Sequence, residues 1–187
     1  MKLIQKGNSK LSTMYMFNLP ANKEVCGRTC KGCYAIREQQ RYPTVEPARQ
    51  SRYEASLQLD FANTIIQELS SIRKKPKYFR VHASGEFYDQ AYISKWHKIA
   101  KSFPDIIFYT YTKRLKNFDF SQLKSLPNFV VIDSFHYGRL NYGPSDKAPP
   151  NAVICPHQKG ASIECGVDCT KCMSKTAEQT GIYFKKH

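Results

Sequence analysis

Seven cysteines dominate the chemistry that this sequence can perform, and they form two groups that lie more than a hundred residues apart. The first group is Cys26, Cys30 and Cys33, and the second is Cys155, Cys165, Cys169 and Cys172. Both contain the spacing Cys-x3-Cys-x2-Cys, and chance explains this repetition poorly. Several thiolates on one short loop can surround a thiophilic metal ion or an iron–sulfur cluster, because folding the loop gathers sulfurs that are close in sequence. The sequence therefore predicts two metal sites.

The two groups differ in the number of ligands that they supply. The second group can fill all four positions of a tetrahedral zinc site, with His157 as an alternative ligand, or hold a complete cluster. The first group supplies three thiolates, which leaves one coordination position open, as in catalytic centres. An iron–sulfur cluster, a zinc ion and a metal-free thiol site all remain candidates for the first group.

The three-cysteine loop resembles the cluster loop of the radical S-adenosylmethionine (SAM) superfamily. The resemblance implies that Cys26, Cys30 and Cys33 bind a [4Fe-4S] cluster whose unique iron is chelated by the amino and carboxylate groups of SAM. It also implies reductive cleavage of SAM to a radical that takes a hydrogen atom from a substrate. The loop departs from the family pattern at Gly32, where an aromatic residue is usual, and Tyr34 follows the third cysteine instead.

Ser84-Gly85-Glu86 lies where radical SAM proteins carry a Gly-Gly-Glu segment. The resemblance implies that these residues and Tyr34 contact SAM. In such a contact the glycine permits close backbone approach, and the Glu86 carboxylate accepts hydrogen bonds from the cationic amine. Ser84 replaces the first glycine of the motif. The structural alternative for Glu86 is an acid at the N-terminus of the following helix.

Hydrophobic periodicity predicts the elements that position these residues. Helical spacing of apolar residues predicts helices over 46–72, 89–103 and 120–126. Runs with strand character lie at 78–83, 106–112 and 129–133. Strands and helices alternate, which indicates βαβ units and a parallel sheet. We therefore expect an α/β fold, with a C-terminal cysteine-rich cap over one end. The resemblance to radical SAM proteins implies that this fold is a partial (β/α) barrel.

A chain of 187 residues has room for one domain with its own core. We expect a single α/β iron–sulfur domain, 1–187, with three parts. They are an N-terminal segment with the cluster loop (1–45), a β/α core (46–145) and a four-cysteine extension (146–187).

Polar residues are dense where the predicted strands end. Functional groups of parallel α/β proteins collect at the carboxyl ends of the strands. Our candidates for catalytic or substrate contacts are therefore His82, Lys113, Asp133 and His136. The structural alternative is that loops after strands are polar whatever their role.

A formal net charge of +14, from 29 Lys and Arg against 15 Asp and Glu, favours an anionic partner such as nucleic acid or a nucleotide. A local basic run interleaved with Tyr78 and Phe79 consists of Arg73, Lys74, Lys75, Lys77 and Arg80. The rival hypothesis is thus a non-catalytic nucleic-acid-binding protein stabilised by zinc or iron–sulfur centres. The structural alternative for the run is a solvated helix end, and no known nucleic-acid-binding motif is present.

A second resemblance covers most of the chain. The motifs that carry it are Asn18-Leu19-Pro20-Ala21, Cys33-Tyr34-Ala35, the segment 80–87, Tyr92, Trp96, the segment 111–114, the late cysteines and a terminal Ile182-Tyr183-Phe184-x-x-His187. Together they resemble the phage "gene product 88" family, which is similar in turn to radical SAM-like phage proteins. The resemblance implies a phage or mobile-element origin and an iron–sulfur site. With no signal peptide and no run of eighteen apolar residues, we expect no membrane span and a cytoplasmic location in a bacterial host.

Overall fold

The structure, a computed structural model, describes residues 2–7, 11–27, 32–134, 153–156, 163–180 and 182–183. A five-stranded sheet contains, in spatial order, β1 (Gln5–Lys6), β2 (Tyr15–Phe17), β3 (Tyr78–Val81), β4 (Ile107–Thr112) and β5 (Phe129–Asp133). Strand β1 pairs antiparallel with β2, and the remaining pairs are parallel. The expected α/β class and parallel pairing are therefore confirmed.

Seven helices and a small second sheet complete the described part of the chain. The helices are α1 (Lys23–Cys26), α2 (Tyr34–Arg41), α3 (Val45–Leu57), α4 (Phe61–Ser71), α5 (Gln90–Lys101), α6 (Ser121–Ser125) and α7 (Lys175–Thr180). A 3-10 turn spans Lys171–Met173, and the second sheet pairs β6 (Val153–Ile154) with β7 (Ile182–Tyr183). None of the described helices combines the length and apolar character that a membrane crossing requires.

One face of the sheet is covered by helices. Strands β2 to β5 lie side by side in sequence order, so right-handed crossovers place their helices on the same face. Phe61 and Ile65 of α4 and Trp96 of α5 are fully buried there against Phe17 and Phe79 of the sheet. Aromatic edge-to-face contacts join these layers, with the rings of Phe17 and Trp96 5.6 Å apart. This face forms the larger apolar core.

The other face of the sheet is covered by the C-terminal segment. Its cluster of packed side chains contains Met14, Met16, Tyr78, Tyr109, Val130, Ile132, Cys155, Met173, Ala177 and Ile182. The sequence suggested that the four-cysteine segment lies over one end of the body. The described part of that segment instead lies on a face of the sheet, because its apolar residues complete this second core.

The single helix expected over 46–72 is wrong, because the structure divides it into α3 and α4. The backbone of Gln58 is extended (φ −65°, ψ 148°), and Leu59 is 98% exposed. Only α4 has the expected apolar face, whereas α3 buries Arg49 and Arg52. The apolar residues that predicted the helix all lie in α4 or directly after it, so they carried no signal for the break before Phe61.

The remaining predicted core elements are confirmed. Strand β5 has the predicted bounds, and β3, β4 and α6 lie within the predicted ranges. Helix α5 begins after Asp89, whose carboxylate accepts a hydrogen bond from the backbone N–H of Tyr92 at 2.6 Å. This N-cap satisfies one of the donors that a helix start leaves without an intrahelical partner.

Candidate functional site

The loops after β2 and β3 are joined side by side at the carboxyl edge of the sheet. The Asn18 amide oxygen accepts hydrogen bonds from the backbone N–H groups of Ala83 (2.7 Å) and Ser84 (3.1 Å). The backbone N–H of Leu19 donates to the Ser84 carbonyl (3.0 Å), and the Ser84 hydroxyl donates to the Leu19 carbonyl (2.9 Å). These bonds hold the segment that leads into the first cysteine group against Ser84-Gly85-Glu86.

Gly85 fits this junction for two separate reasons. Its φ of 85° lies in the left-handed region, which L side chains rarely adopt. A Cβ at this position would also lie 2.5 Å from the Leu19 Cβ, inside the contact distance of two carbons. The close approach expected at Gly85 is therefore made, in this structure, to the loop that follows β2.

Glu86 links the ends of β3 and β4. Its carboxylate oxygens accept hydrogen bonds from the Thr112 hydroxyl (2.8 Å) and the backbone N–H of Lys113 (2.9 Å). Burial raises the pKa of Glu86, and the bonds from Lys113 and Thr112 oppose that rise. Asp89 caps α5, so the alternative role of Glu86 as the helix N-terminal acid is wrong. Each carboxylate oxygen still has capacity for a second hydrogen bond.

The first cysteine group lies beside a cation at this edge. Cys26 is the last residue of α1, and Gly27 ends that helix with φ 70°. The Arg114 guanidinium donates to the Cys26 carbonyl at 3.3 Å and fills the space that a Cβ on Gly27 would need. Its Nε is buried and has no hydrogen-bond partner among the described residues. Cys33 is half-buried and precedes α2, whereas Cys30 lies outside the described residues.

Tyr34 connects the first cysteine group to the end of β3. It is the first residue of α2, its side chain is 57% exposed, and its hydroxyl donates a hydrogen bond to the Ala83 carbonyl. All four candidate cofactor contacts, Tyr34, Ser84, Gly85 and Glu86, are therefore at the same edge as Cys26 and Cys33. Neither Asn18 nor Arg114 was singled out as a site residue from the sequence, although both lie within motifs of the second resemblance.

The four candidate catalytic residues are placed differently from one another. Lys113 directly follows β4, and Asp133 is the last residue of the neighbouring strand β5, so both lie at the carboxyl edge. Asp133 pairs in register with Thr112. His82 is buried in the helix-side core, with its Nε2 2.9 Å from the Tyr92 hydroxyl. Burial, together with the charge of Arg80, lowers the pKa of His82 to about 3, so its imidazole is neutral at pH 7. His136, like His157, lies outside the described residues.

The second cysteine group gathers on the opposite sheet face. Burial raises the pKa of Cys172 to about 11, against the effect of its hydrogen bond with Tyr111, and Cys155, Cys165 and Cys169 add to the rise. Within the part of the chain that is described, no three or more His, Cys, Asp or Glu side chains are placed to hold a single metal ion. A [4Fe-4S] core is larger than a single ion and keeps its thiolates further apart.

The basic run does not form the aromatic surface that the sequence suggested. Tyr78 is 5% exposed and Phe79 is fully buried, so neither ring is available to stack on a base. Arg80 lies on the sheet face that the C-terminal segment covers. Its guanidinium is 5.5 Å from the Tyr111 ring centre. The Lys75 ammonium donates to the Ser70 and Ile72 carbonyls at the end of α4, which agrees with the helix-end alternative.

Fold and site together define a mixed α/β protein in which a cysteine loop meets the carboxyl ends of parallel strands. The chain belongs to the Gene product 88 family, whose family model matches residues 2–178. The Gene 88 proteins of Mycobacterium phages L5 and D29 are 39% and 37% identical to it over 41 residues. Those alignments span 22% of this chain and 17% of each relative. No solved structure matches the chain significantly. The expected family and its phage setting are confirmed.

Proposed function

We propose that this protein is an iron–sulfur enzyme of the radical SAM type, whose [4Fe-4S] cluster is held by Cys26, Cys30 and Cys33. The observation that carries the proposal is the junction at the carboxyl edge, where the cysteine loop and Ser84-Gly85-Glu86 are joined by Asn18 and Tyr34. Sequential strand order with the helices on one face also favours a partial (β/α) barrel.

The described residues of the first site fit a three-thiolate cluster. Three thiolates around an oxidised [4Fe-4S] core carry a net charge of about −1. Arg114 places a positive charge beside Cys26. Its buried Nε–H has no partner among the described residues and is available as a further hydrogen-bond donor beside Cys26. Gly27 leaves room for this guanidinium, because any larger residue would displace it.

Glu86 fits the ammonium group of SAM. Each of its oxygens already accepts one hydrogen bond, which fixes the carboxylate plane, and each retains a second acceptor position. A cation at this position would oppose the effect of burial on the carboxylate and favour its ionised form. Glu86 would thus hold the strand ends together and orient the cofactor.

Cys26, Cys30 and Cys33 would hold the cluster, which, once reduced by a one-electron donor, would supply the electron for cleavage of SAM into methionine and a 5′-deoxyadenosyl radical able to take a hydrogen atom from the substrate. The protein itself would orient SAM and the substrate and would exclude water from the site. Lys113 and Asp133 lie at the edge where a substrate would approach, and they are our candidates for contacts with it.

The substrate class that the composition favours is anionic. A net charge of +14 attracts nucleic acids, nucleotides and other anions, although it names none of them. Lys113 would add a local positive charge at the carboxyl edge. We therefore propose a nucleic acid or a nucleotide as the substrate.

The experiment is anaerobic purification with iron and sulfide analysis, followed by incubation with SAM and dithionite. We expect about four iron atoms at the first site and release of 5′-deoxyadenosine. Cys33→Ala should abolish this release, whereas Ser125→Ala, a truncation at an exposed helix end, is the control that should retain it. Stoichiometric zinc without iron would overturn the proposal. A cluster that never cleaves SAM would instead indicate a non-catalytic iron–sulfur protein.

A further inference from the structure

The sheet face opposite the helices collects four cysteines that the proposed SAM site does not use. Cys155 follows β6 and is buried, and the other three are half-buried. Cys155, Cys165 and Cys172 belong to the same packed cluster as side chains of the central strands. None of the four forms a disulfide with another described cysteine. Three of the four thiols thus lie on one sheet face, and Cys169 is bridged to one of them, Cys165.

The local backbone builds a tight loop around two of these cysteines. Cys165 and Cys169 face each other in an isolated β-bridge, and the Gly166 N–H donates to the Cys169 carbonyl at 2.9 Å. Gly166 has φ 90°, and a Cβ there would lie 2.6 Å from the Met14 Cε. The loop is therefore seated directly on the sheet and needs glycine at this position. Short loops that close on themselves between cysteines are typical of thiolate metal sites.

Arg80 places a positive charge on the same face. Within the described residues its guanidinium makes no ion pair with a carboxylate, and its Nε is buried without a hydrogen-bond partner. Its guanidinium carbon lies 5.5 Å from the centre of the Tyr111 ring, and Tyr111 is hydrogen-bonded to Cys172. A partly buried cation whose Nε has no partner favours a negative charge nearby.

We propose that Cys155, Cys165, Cys169 and Cys172 form a closed four-thiolate metal centre on this face, and that Arg80 is the cation that balances its charge. The centre we propose is a [4Fe-4S] cluster, because no three of the described side chains are placed around one ion, whereas a cluster core is larger. Four thiolates around an oxidised [4Fe-4S] core carry a net charge of about −2. Tyr111 is hydrogen-bonded to Cys172, and a metal-bound thiolate can only accept, so the Tyr111 hydroxyl is the donor. The proposal does not depend on the SAM site.

The first test separates this centre from the SAM site by removing the other cysteines. The full chain carrying Cys26→Ala, Cys30→Ala and Cys33→Ala is purified anaerobically, and its iron, sulfide and zinc are measured. Retention of about four iron and four sulfide ions per chain supports the cluster, whereas about one zinc ion without iron would overturn it. Loss of all metal by a folded variant, as judged by circular dichroism, would overturn the proposal without bearing on SAM cleavage.

The second test addresses Arg80 in the same cysteine background. Arg80→Met removes the charge, Arg80→Lys keeps it, and Lys74→Met removes an exposed charge from the nearby basic run. We expect Arg80→Met to lower metal affinity by about 10- to 100-fold in competition with a chelator, as outer-shell changes commonly do. Arg80→Lys and Lys74→Met should bind metal like the parent. Equal affinities for Arg80→Met and Lys74→Met, or for Arg80→Met and Arg80→Lys, would show that Arg80 does not balance the charge.

Discussion

The two cysteine groups share one spacing and lie in different surroundings. The first is placed where strands end, beside loops held together by hydrogen bonds that Asn18 accepts and Ser84 donates. The second lies against the sheet face among apolar side chains. One therefore has an edge where other molecules can approach, and the other contributes to the packing of the fold.

This difference shows what a ligand spacing determines and what it leaves open. A Cys-x3-Cys-x2-Cys loop specifies how many thiolates can converge, whereas the neighbouring elements decide whether a coordination position stays accessible. Arg114 lies beside the first group and Arg80 lies near the second. Both groups thus have a nearby cation, as the negative charge of metal-bound thiolates requires. Three predictions test the contrast, and a fourth concerns His82, which belongs to neither group.

The largest effect should come from removing one cysteine from each group. Cys33→Ala should abolish SAM cleavage and change the melting temperature by only a few degrees, because its loop lies outside both cores. Cys172→Ala should lower the melting temperature of the metal-loaded protein by roughly 10 °C, since a metal that holds packed segments together contributes directly to folding. Scanning calorimetry and 5′-deoxyadenosine release measure the two effects. Similar melting temperatures for the two variants would contradict the contrast.

Gly85→Ala should damage the junction at the first site. The added methyl group meets Leu19 and must also adopt φ near 85°, so we expect a loss of about 3 kcal/mol in the free energy of unfolding. Gly32→Ala is the matched control, because Gly32 has φ 70° and no atom lies within 4 Å of the position that its Cβ would take. It should cost about 1 kcal/mol, from backbone strain alone. Urea denaturation of both variants provides the comparison, and equal losses would show that contact with Leu19 contributes nothing.

The sheet core could be predicted from the sequence more completely than the short strands and loops around the site. Strand β5 was predicted with its observed bounds, because a continuous run of β-branched residues is an unambiguous local signal. Strands β1 and β2 were not predicted, since two or three residues show no period. Asn18 illustrates the same limit for the site, because its role depends on Ala83 and Ser84, which are distant in sequence.

Acid should destabilise the fold through His82, which belongs to neither cysteine group. Its pKa is about 3 when folded and about 6.5 when unfolded, so the unfolded state binds more protons between these values. The His82 contribution is complete above pH 6.5 and should fall by about 2 kcal/mol at pH 5, with further loss towards pH 3. His82 has φ 65°, in the left-handed region that Asn adopts more readily than most residues. Urea titrations at several pH values should show a shallower acid slope for His82→Asn.

If the unfolding free energy of His82→Asn falls with acid as steeply as that of the parent protein, other groups cause the acid sensitivity. Arg80 repels the protonated imidazole, Tyr92 contacts its Nε2, and Glu86 is a nearby carboxylate whose raised pKa gives the opposite pH dependence. Only the difference between the parent and variant slopes therefore reports on His82.

The smallest effect should come from Ser84→Ala, which tests the departure from the Gly-Gly-Glu pattern at the first site. The Ser84 hydroxyl makes one buried hydrogen bond, to the Leu19 carbonyl, and its loss should cost about 1 kcal/mol of unfolding free energy. Ser125→Ala removes a comparable bond, to the Gln122 carbonyl, at an exposed helix end and should cost less. If Ser84 only joins the loops, SAM affinity measured by equilibrium dialysis should change less than twofold. A larger loss of affinity would place its hydroxyl in contact with the cofactor and would extend the site from the cysteine loop into the loop after β3.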